Sequence, residues 1–550
     1  MKAKKKTQTR IQDRVAEACR RLELLEATYE TITIAQLVSM RARTHGSALA
    51  VDMFERDERA TYAEMDLRSN RCAHALRTFG VRKGDRIGVM LPNRLEFPIL
   101  WFAFAKLGAV LVPINIRYTP REIEYVLSDT QARFAIVDES AWQVFSTMDP
   151  WPQALAKERV VLVGHASDRM ATTLDELVKG TEDSPIREDV GPDDLLNVAY
   201  TSGTTGFPKG CTLTHDYWGV CSYALASSDR EPYKKYLSWA PFFYAETQGQ
   251  LLRSYRQGAT LYVAENPSAT RFIDWLKTYR IESCSFPELA TRQPEAADDA
   301  STCLKQVAHY GGWSSDSIRR FRERFGACGQ NNYGMTEIGW GTLPPNNVDE
   351  IDAAASFGLP APFRELRLVR DDGSLAQIGE VGELWVRGRA IFKGYWNRPE
   401  ANAESFEGEW FKTGDLMRRD ELGFHWLVGR TKDMIRRSGE NIAAREVEAV
   451  VREIPEVEDV AAVPVRNAKR GEEVKIYVQL KSGFTSSDLP VERILDHARS
   501  RLAAFKVPRY IAFIPALPRT ASSNKVLKRE LTDVSDPISG AYDSEEKCWR

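Results

Sequence analysis

The sequence predicts an α/β protein: a large N-terminal region of α/β subdomains with parallel sheets, a small β unit, and a small α+β C-terminal domain. Three observations predict it. From Tyr62 onward, short apolar strands alternate with amphipathic helices, the rhythm of a parallel sheet with helical crossovers. After residue 355 the texture changes to hairpin-like segments around an Asp371-Asp372-Gly373 turn. Beyond about residue 431, a last block of about 120 residues carries its own apolar pattern. The expected boundaries are 1–430, with the β unit at 355–430, and 431–550.

Residues 1–30 read as a charged helix forming a peripheral arm. Ala63–Phe79 has the spacing of an amphipathic helix. Asp85–Leu91 reads as a strand, Leu95–Lys106 as a helix and Ala109–Pro113 as a strand. Thr119 and Pro120 open a helix to Ser128, the hydroxyl capping it and the proline standing where no N–H is needed. Ala132–Val137 is the next strand. The alternation continues from about 195 to 330, starting with a strand at Leu195–Tyr200. Glu365–Arg370 and Glu383–Arg387 form the β unit. The final block holds a helix from Arg445, strands at Val460–Val465 and Val474–Leu480, and a helix from Pro490 to Ala504.

Across 550 residues, 75 Lys and Arg oppose 77 Asp and Glu, a formal net charge of -2. Such balance provides no field for a nucleic-acid partner, and none is expected. With 43% hydrophobic and 28% charged residues, the composition excludes a mostly disordered or fibrous chain. The most apolar stretch, Phe97–Ile114, contains Lys106, Gly108 and Pro113, so it reads as a buried helix running into a strand, not a membrane span. No apolar segment follows the basic start MKAKKKTQTR, so no signal peptide is expected. Eight cysteines without a Cys-x-x-Cys pair show neither a disulfide framework nor a zinc site. A soluble protein of the reducing cytoplasm is expected, its oligomeric state open, a homo-oligomer included.

The sharpest local feature is Thr201-Ser202-Gly203-Thr204-Thr205-Gly206-Phe207-Pro208-Lys209-Gly210. Seven of these ten residues are Gly, Ser or Thr, directly after an apolar strand. Glycines let backbone N–H groups approach an anion, hydroxyls add donors and Lys209 adds charge. The loop reads as a phosphate cradle, with a plain surface loop as the alternative. It is not the Walker type, which ends in Gly-Lys-Ser/Thr ahead of a helix.

Further motifs follow in order: Asn332-Tyr333-Gly334-Met335-Thr336-Glu337, Thr413-Gly414-Asp415, Gly429-Arg430-Thr431-Lys432-Asp433, Ser438-Gly439-Glu440-Asn441-Ile442 and Pro518-Arg519-Thr520-Ala521-Ser522-Ser523-Asn524-Lys525. Together with the loop they resemble the adenylate-forming superfamily of acyl-CoA synthetases, peptide-synthetase adenylation domains and luciferases. The resemblance runs from about Tyr62 to Leu531. It implies two steps: a carboxylate and ATP give acyl-AMP and pyrophosphate, and the acyl group then passes to the thiol of CoA.

The resemblance places Thr201, Ser202, Gly203, Thr204, Thr205 and Lys209 around the β- and γ-phosphates. It gives Glu337 to Mg²⁺, a cation that prefers carboxylate oxygen. Thr336 then meets the α-phosphate or the acid, Tyr333 stacks on adenine, Asp415 accepts the ribose hydroxyls and Arg430 adds a ribose or phosphate contact. Lys525 becomes the adenylation lysine. On its residues alone, it would read as a solvated charge. Relatives often have Gly before this lysine where Asn524 stands; Asn also tolerates left-handed backbone angles, so the loop is expected to keep its form. The resemblance also implies a mobile C-terminal domain turning at Lys432/Asp433. That turn would withdraw Lys525 and bring Arg436, Gly439, Glu440 and Asn441 to the thioester site.

For the acyl pocket, Tyr244 stands where many acyl-CoA synthetases have His and amino-acid-activating relatives have Asp, which argues against an α-amino acid. Gly311-Gly312-Trp313 departs from a common Gly-Gly-Ala pattern and the segment is shorter. Crotonobetaine/carnitine–CoA ligases are similar there, in Phe505-Lys506-Val507-Pro508 and in an acid at Glu246. Tyr244, Trp313 and Trp340 with Glu246 could cage a cationic acid through cation–π attraction. Alternatively, the aromatics simply shorten the pocket for a small or aryl acid.

Three functions therefore compete. One is an AMP-forming acyl-CoA synthetase using ATP, Mg²⁺ and CoA. Another is an adenylating enzyme that loads a carrier protein, although no carrier attachment segment follows in the chain. The last is a non-catalytic nucleotide binder, which would not need Lys525.

Overall fold

The structure is a computed structural model. It describes residues 2–165, 172–201, 208–310, 312–348, 350–430, 433–437, 440–467, 469–502, 504–519 and 526–550. The chain divides into two compact units. One comprises Met1–Leu366, Val386–Phe411 and Glu421–His425; the other comprises Arg367–Trp385, Lys412–Asp420 and Trp426–Arg550.

The chain begins with α1 (Lys2–Ala27), α2 (Ile34–His45), β1 (Leu49–Met53), β2 (Glu58–Thr61), α3 (Tyr62–Phe79), β3 (Arg86–Met90) and α4 (Glu96–Leu107). Then come β4 (Val110–Pro113), α5 (Pro120–Asp129), β5 (Phe134–Asp138), α6 (Trp142–Ser146), β6 (Val160–Val163), β7 (Thr172–Thr173) and α7 (Leu174–Val178). Next are β8 (Leu195–Thr201), β9 (Lys209–Thr214), α8 (His215–Ser227), β10 (Lys235–Ser238), α9 (Ala245–Gln257), β11 (Thr260–Val263) and α10 (Phe272–Thr278). They are followed by β12 (Ser283–Ser285), α11 (Glu288–Thr291), β13 (Gln306–His309), α12 (Ser315–Phe325), β14 (Cys328–Asn331), β15 (Tyr333–Met335), β16 (Gly339–Leu343), α13 (Ile351–Ala355) and β17 (Leu359–Pro360).

Two seven-stranded sheets organise this part. The first runs β7-β6-β5-β3-β4-β8-β9 and is parallel except for the last pair. The second runs β14-β13-β12-β10-β11-β1-β2 and is parallel except for β1–β2. Helix α4 is buried from Phe97 to Leu107, as expected of a helix apolar on every face. Thr119 caps α5 through a reciprocal pair with Glu122.

One buried polar hub ties these layers together. The indoles of Trp101 and Trp218 each donate to Asn197 Oδ1 at 3.0 Å. Asn197 Nδ2 donates to Gln248 Oε1 at 2.9 Å, and Gln248 Nε2 donates to the Phe242 carbonyl at 2.7 Å. Every partner is satisfied, so the network specifies one arrangement of α4, β8, α8 and α9.

Three points of the sequence reading need correction. The N-terminal helix is not a peripheral arm. Ile11, Val15 and Ala18, spaced for one helical face, pack on Val348, Ala353, Leu359 and Phe424. Glu26 also accepts from the Phe363 N–H. Secondly, the glycine-rich loop is followed by the strand β9, which sequence reading missed. Thirdly, the helix placed at Pro490–Ala504 spans Val491–Arg499, where Ser500 takes the C-cap.

β18 (Arg364–Val369), β19 (Val381–Gly388), α14 (Pro399–Ser405), β20 (Phe406–Glu407), β21 (Trp410–Arg419) and β22 (His425–Arg430) follow, as a five-stranded sheet β18-β19-β21-β20 with β22 on β21. The remaining elements are β23 (Met434–Arg437), β24 (Glu440–Ala443), α15 (Ala444–Arg452), β25 (Val457–Asn467), β26 (Gly471–Leu480), α16 (Val491–Arg499), β27 (Tyr510–Phe513), α17 (Lys528–Thr532), β28 (Tyr542–Asp543) and β29 (Cys548–Trp549). Their sheet runs β24-β23-β26-β27-β28-β29 with β25 on β26. It buries Ile435, Ile442, Val447, Ile476, Ile494 and Ile511 in one core.

Candidate active site

In the first unit, the glycine-rich loop joins two antiparallel strands whose register closes at Thr201 opposite Lys209. Ser202, Gly203, Thr204 and Thr205 lie outside the described residues, as do Gly311, Lys432, Gly439, Asn524 and Lys525. Segment 393–396 runs beside β9. Lys393 N–H donates to Thr212 O at 3.0 Å, Thr212 N–H to Gly394 O at 3.1 Å and Trp396 N–H to Gly210 O at 2.7 Å. This pairing presents Tyr395 to two expected site residues. Its hydroxyl donates to Glu337 Oε1 at 2.9 Å, and Lys209 Nζ lies 4.8 Å from its ring centroid.

Glu337 is buried at 6% exposure. Its negative field reaches its neighbours. Burial first, then Glu337, raises the Tyr395 hydroxyl far above its ordinary range and holds the Cys211 thiol protonated. Thr336 is half-buried, and its carbonyl accepts from the Tyr217 hydroxyl at 2.9 Å. Tyr333 is buried with its ring over Gly341, where an added Cβ would come within 2.9 Å of the ring, and it meets Phe357 edge-on. Tyr395 and Tyr217 were missed by sequence reading, since neither carries a local motif. Only the antiparallel pairing of 393–396 with β9 brings Tyr395 in.

The fit to Mg²⁺ is that of a cation held mainly by nucleotide oxygens. Among the described residues no group of three or more His, Cys, Asp or Glu could hold a metal. Glu337 is a single buried carboxylate, and one or two carboxylates with phosphate oxygens is the usual Mg²⁺ arrangement.

In the pocket segment, Tyr244 N-caps α9, meets Phe243 edge-on, and its hydroxyl accepts from Asn115 Nδ2 at 3.3 Å. Glu246 lies in the first turn of α9 and accepts from the Ser285 hydroxyl. Burial raises its carboxyl above the ordinary range. Tyr310, another residue the sequence did not single out, senses that acid: burial and then Glu246 push its hydroxyl up. Tyr310 also accepts from Gln250 at 3.4 Å and faces the Trp340 ring at 5.7 Å. Trp313 belongs to another aromatic group. It is 5% exposed, stacks on His309 at 4.5 Å and packs on Phe286 and Phe321. Gly312 precedes it at φ +80.

In the second unit, Thr413-Gly414-Asp415 lies within strand β21 and is held by side-chain hydrogen bonds. Thr413 Oγ1 donates to Leu384 O at 2.7 Å and accepts the Asp415 N–H at 3.1 Å. Gly414, at φ +72, donates its N–H to Glu383 Oε1 at 3.0 Å. Asp415 is 4% exposed and accepts from Arg430 Nε at 2.9 Å. Asp415, assigned to the ribose, and Arg430, assigned to ribose or phosphate, are thus brought together as one ion pair. Asp433 is half-buried and ion-pairs with Lys528 at 3.8 Å. Arg436 on β23 stands in register with Asn441 on β24, and Glu440 opens β24.

Comparison with known proteins gives this geometry a family. Residues 38–396 match the AMP-binding enzyme family and 446–524 the AMP-binding enzyme C-terminal domain. A crotonobetaine/carnitine–CoA ligase of Escherichia coli is 30% identical over 86% of this chain and 93% of its own. The long-chain-fatty-acid–CoA ligase FadD13 of Mycobacterium tuberculosis is 31% identical over 87% and 93%. ATP-bound MatB from Rhodopseudomonas palustris superposes with a TM-score of 0.80 at 25% identity, covering 91% of this chain and 98% of that one. No helix among the described residues is long and apolar enough to cross a membrane. The chain belongs to the AMP-binding enzyme family and is an acid–thiol ligase of the acyl-CoA ligase kind.

Proposed function

We propose that the chain is an AMP-forming acyl-CoA synthetase that turns a small carboxylic acid, ATP and free CoA into acyl-CoA, AMP and pyrophosphate. The observation that carries this reading is the alignment of Lys209, Tyr395 and Glu337 on one edge of the glycine-rich hairpin. The acid's carboxylate oxygen attacks the α-phosphorus, and the bond to pyrophosphate breaks. Charge accumulates on the phosphates, so fixed positive groups near them lower the barrier. Lys209 supplies one such charge from β9, and Lys525 a second. Glu337 is the residue to hold Mg²⁺, which when bound neutralises phosphate charge. Asp415, held by Arg430, accepts ribose hydroxyls. The thioester step then uses the 436–441 segment, with the turn between steps at Lys432/Asp433. These roles fit a chain divided near 431, working in the cytoplasm.

For the acid, Tyr244, Trp340 and Glu246 favour either an aryl acid or a small cationic one, while Trp313 packs in the separate group of His309, Phe286 and Phe321. Glu246 supports the cationic reading, since a buried carboxyl with raised pKa gains most from a cation that restores its charge. Pyrophosphate release across an acid panel, with and without CoA, tests the whole reading. Release that needs an acid and is pulled forward by CoA supports it. Release without thioester points to a carrier protein as acceptor, and no release with any acid to a nucleotide binder. If butyrate or benzoate outperforms every betaine-type acid in kcat/KM, the cationic reading is lost.

A further inference from the structure

The described residues that flank 520–525 in the chain are fastened to one side of the C-terminal sheet. Arg519 and Val526 form an antiparallel bridge, and Leu527 N–H donates to Pro518 O at 2.8 Å. Val526 then packs with Ala461, Val463, Leu517 and Leu531. Arg519 ion-pairs with Asp459, which also holds Arg452 at 2.8 Å. Pro518 and Leu527 are thus fixed to each other and to β25, with residues 520–525 between them.

Immediately beyond this base, the side chain of Lys528 makes two ion pairs of unequal length. Its Nζ lies 2.7 Å from Glu448 Oε1 and 3.8 Å from Asp433 Oδ2. The Glu448 side is anchored. That carboxylate is 10% exposed and also accepts the Ala462 N–H at 2.9 Å, linking α15 to β25. The Asp433 side is looser. Its carboxylate is 37% exposed and sits near the outer limit of ion pairing. The residue assigned to the turn between reaction steps is therefore joined by one cation to the base of the segment that carries Lys525. A cation with one firm and one weak partner can release the weak one when the backbone at Asp433 changes, while the firm one keeps its place.

We infer that Lys528 is a positioning residue for adenylation: through Glu448 it holds the Lys525 segment, and through Asp433 it couples that segment to the turn. This rests on the proposed role of Lys525. Lysine placement matters steeply, because a misplacement of about 1 Å can cost on the order of 100-fold in rate.

The test measures both half-reactions in the full-length protein. ATP–pyrophosphate exchange reports adenylation, and thioester formation from supplied acyl-AMP reports transfer. Lys528→Gln is expected to lower the exchange kcat by about 10- to 100-fold with KM for ATP little changed. Transfer should stay near that of the unsubstituted protein, and Lys528→Arg should recover most of the exchange. Asp433→Asn added to Lys528→Gln should cost nothing further, since both remove the same link. Unchanged exchange in Lys528→Gln overturns the inference, provided Lys525→Ala abolishes exchange in the same assay. Equal loss of both half-reactions with a lowered melting temperature also overturns it, leaving a purely structural lysine. Additive losses in the double variant overturn the coupling to Asp433. Normal exchange in Lys525→Ala instead removes the proposed role of Lys525 itself.

Discussion

The Tyr395 hydroxyl donates to the buried carboxylate of Glu337 at 2.9 Å, while the same ring lies beneath Lys209. One tyrosine therefore sets the orientation of the acid and the height of the cation. Tyr395→Phe keeps the ring and loses only the donor. A hydrogen bond to a charged group contributes roughly 1.5–3 kcal/mol, so a drop of about 10- to 100-fold in kcat/KM for pyrophosphate release is expected. The effect should be read as a function of Mg²⁺ concentration. If Glu337 holds the metal, the variant needs more Mg²⁺ for half-maximal rate, and an unchanged Mg²⁺ curve counts against that role.

Asp415 and Arg430 act as a pair. Asp415→Asn keeps the shape and removes the charge that holds Arg430. The expected result is a rise in KM for ATP of about 10-fold or more, with the acid's KM nearly unchanged. Isothermal titration with ATP checks it, and equal affinity in both proteins would separate this carboxylate from nucleotide binding.

His215 sets an acid limit on stability. It is fully buried and accepts the Ile34 N–H on Nδ1 at 3.2 Å, so the neutral ring carries its hydrogen on Nε2. Burial lowers its pKa from the ordinary 6.5 to about 4. Between these values the unfolded chain binds more protons than the folded one. Stability is thus complete above pH 6.5 and is lost progressively as pH falls toward 4, by on the order of 3 kcal/mol. Melting temperatures across this window should fall faster in the unsubstituted protein than in His215→Gln. Parallel curves would mean that another group governs the acid limb.

Trp313 and Trp340 should respond differently. Trp313→Ala removes a ring from a closed aromatic group and should destabilise by roughly 3–5 kcal/mol, visible as a shifted denaturation midpoint. Trp340→Ala should leave stability closer to normal and change the ranking of acids by kcat/KM. The opposite pattern would exchange the two roles.

The fold was legible where one period dominated. Strands β3, β4 and β5 and helices α3, α4 and α5 emerge from runs and spacings within about two residues of their ends, because their apolar faces have a single destination. Strand β9 was hidden, since Lys209-Gly210-Cys211-Thr212 is too polar and too glycine-rich to announce a strand; its pairing with β8 decides it. Glu337 and Asp415 stand in recognisable motifs. Tyr395 and Lys528 do not, because their importance comes from what the chain brings beside them more than 50 residues away, for Tyr395 at Glu337 (58 residues) and for Lys528 at Glu448 and Asp433. The departure of α1 from a free arm was readable in principle, since Ile11, Val15 and Ala18 already share one face.

The hairpin that carries the glycine-rich loop has a consequence for variation. Lys209 is paired with Thr201 in a ladder that continues to Leu195 and Thr214, and a one-residue slip would send its side chain to the opposite face of the sheet. The lysine's direction is therefore written in the two strands. Insertions or deletions confined to residues 202–208 would leave that cation aimed as before. A single residue added within β9 would misdirect it with every loop residue intact.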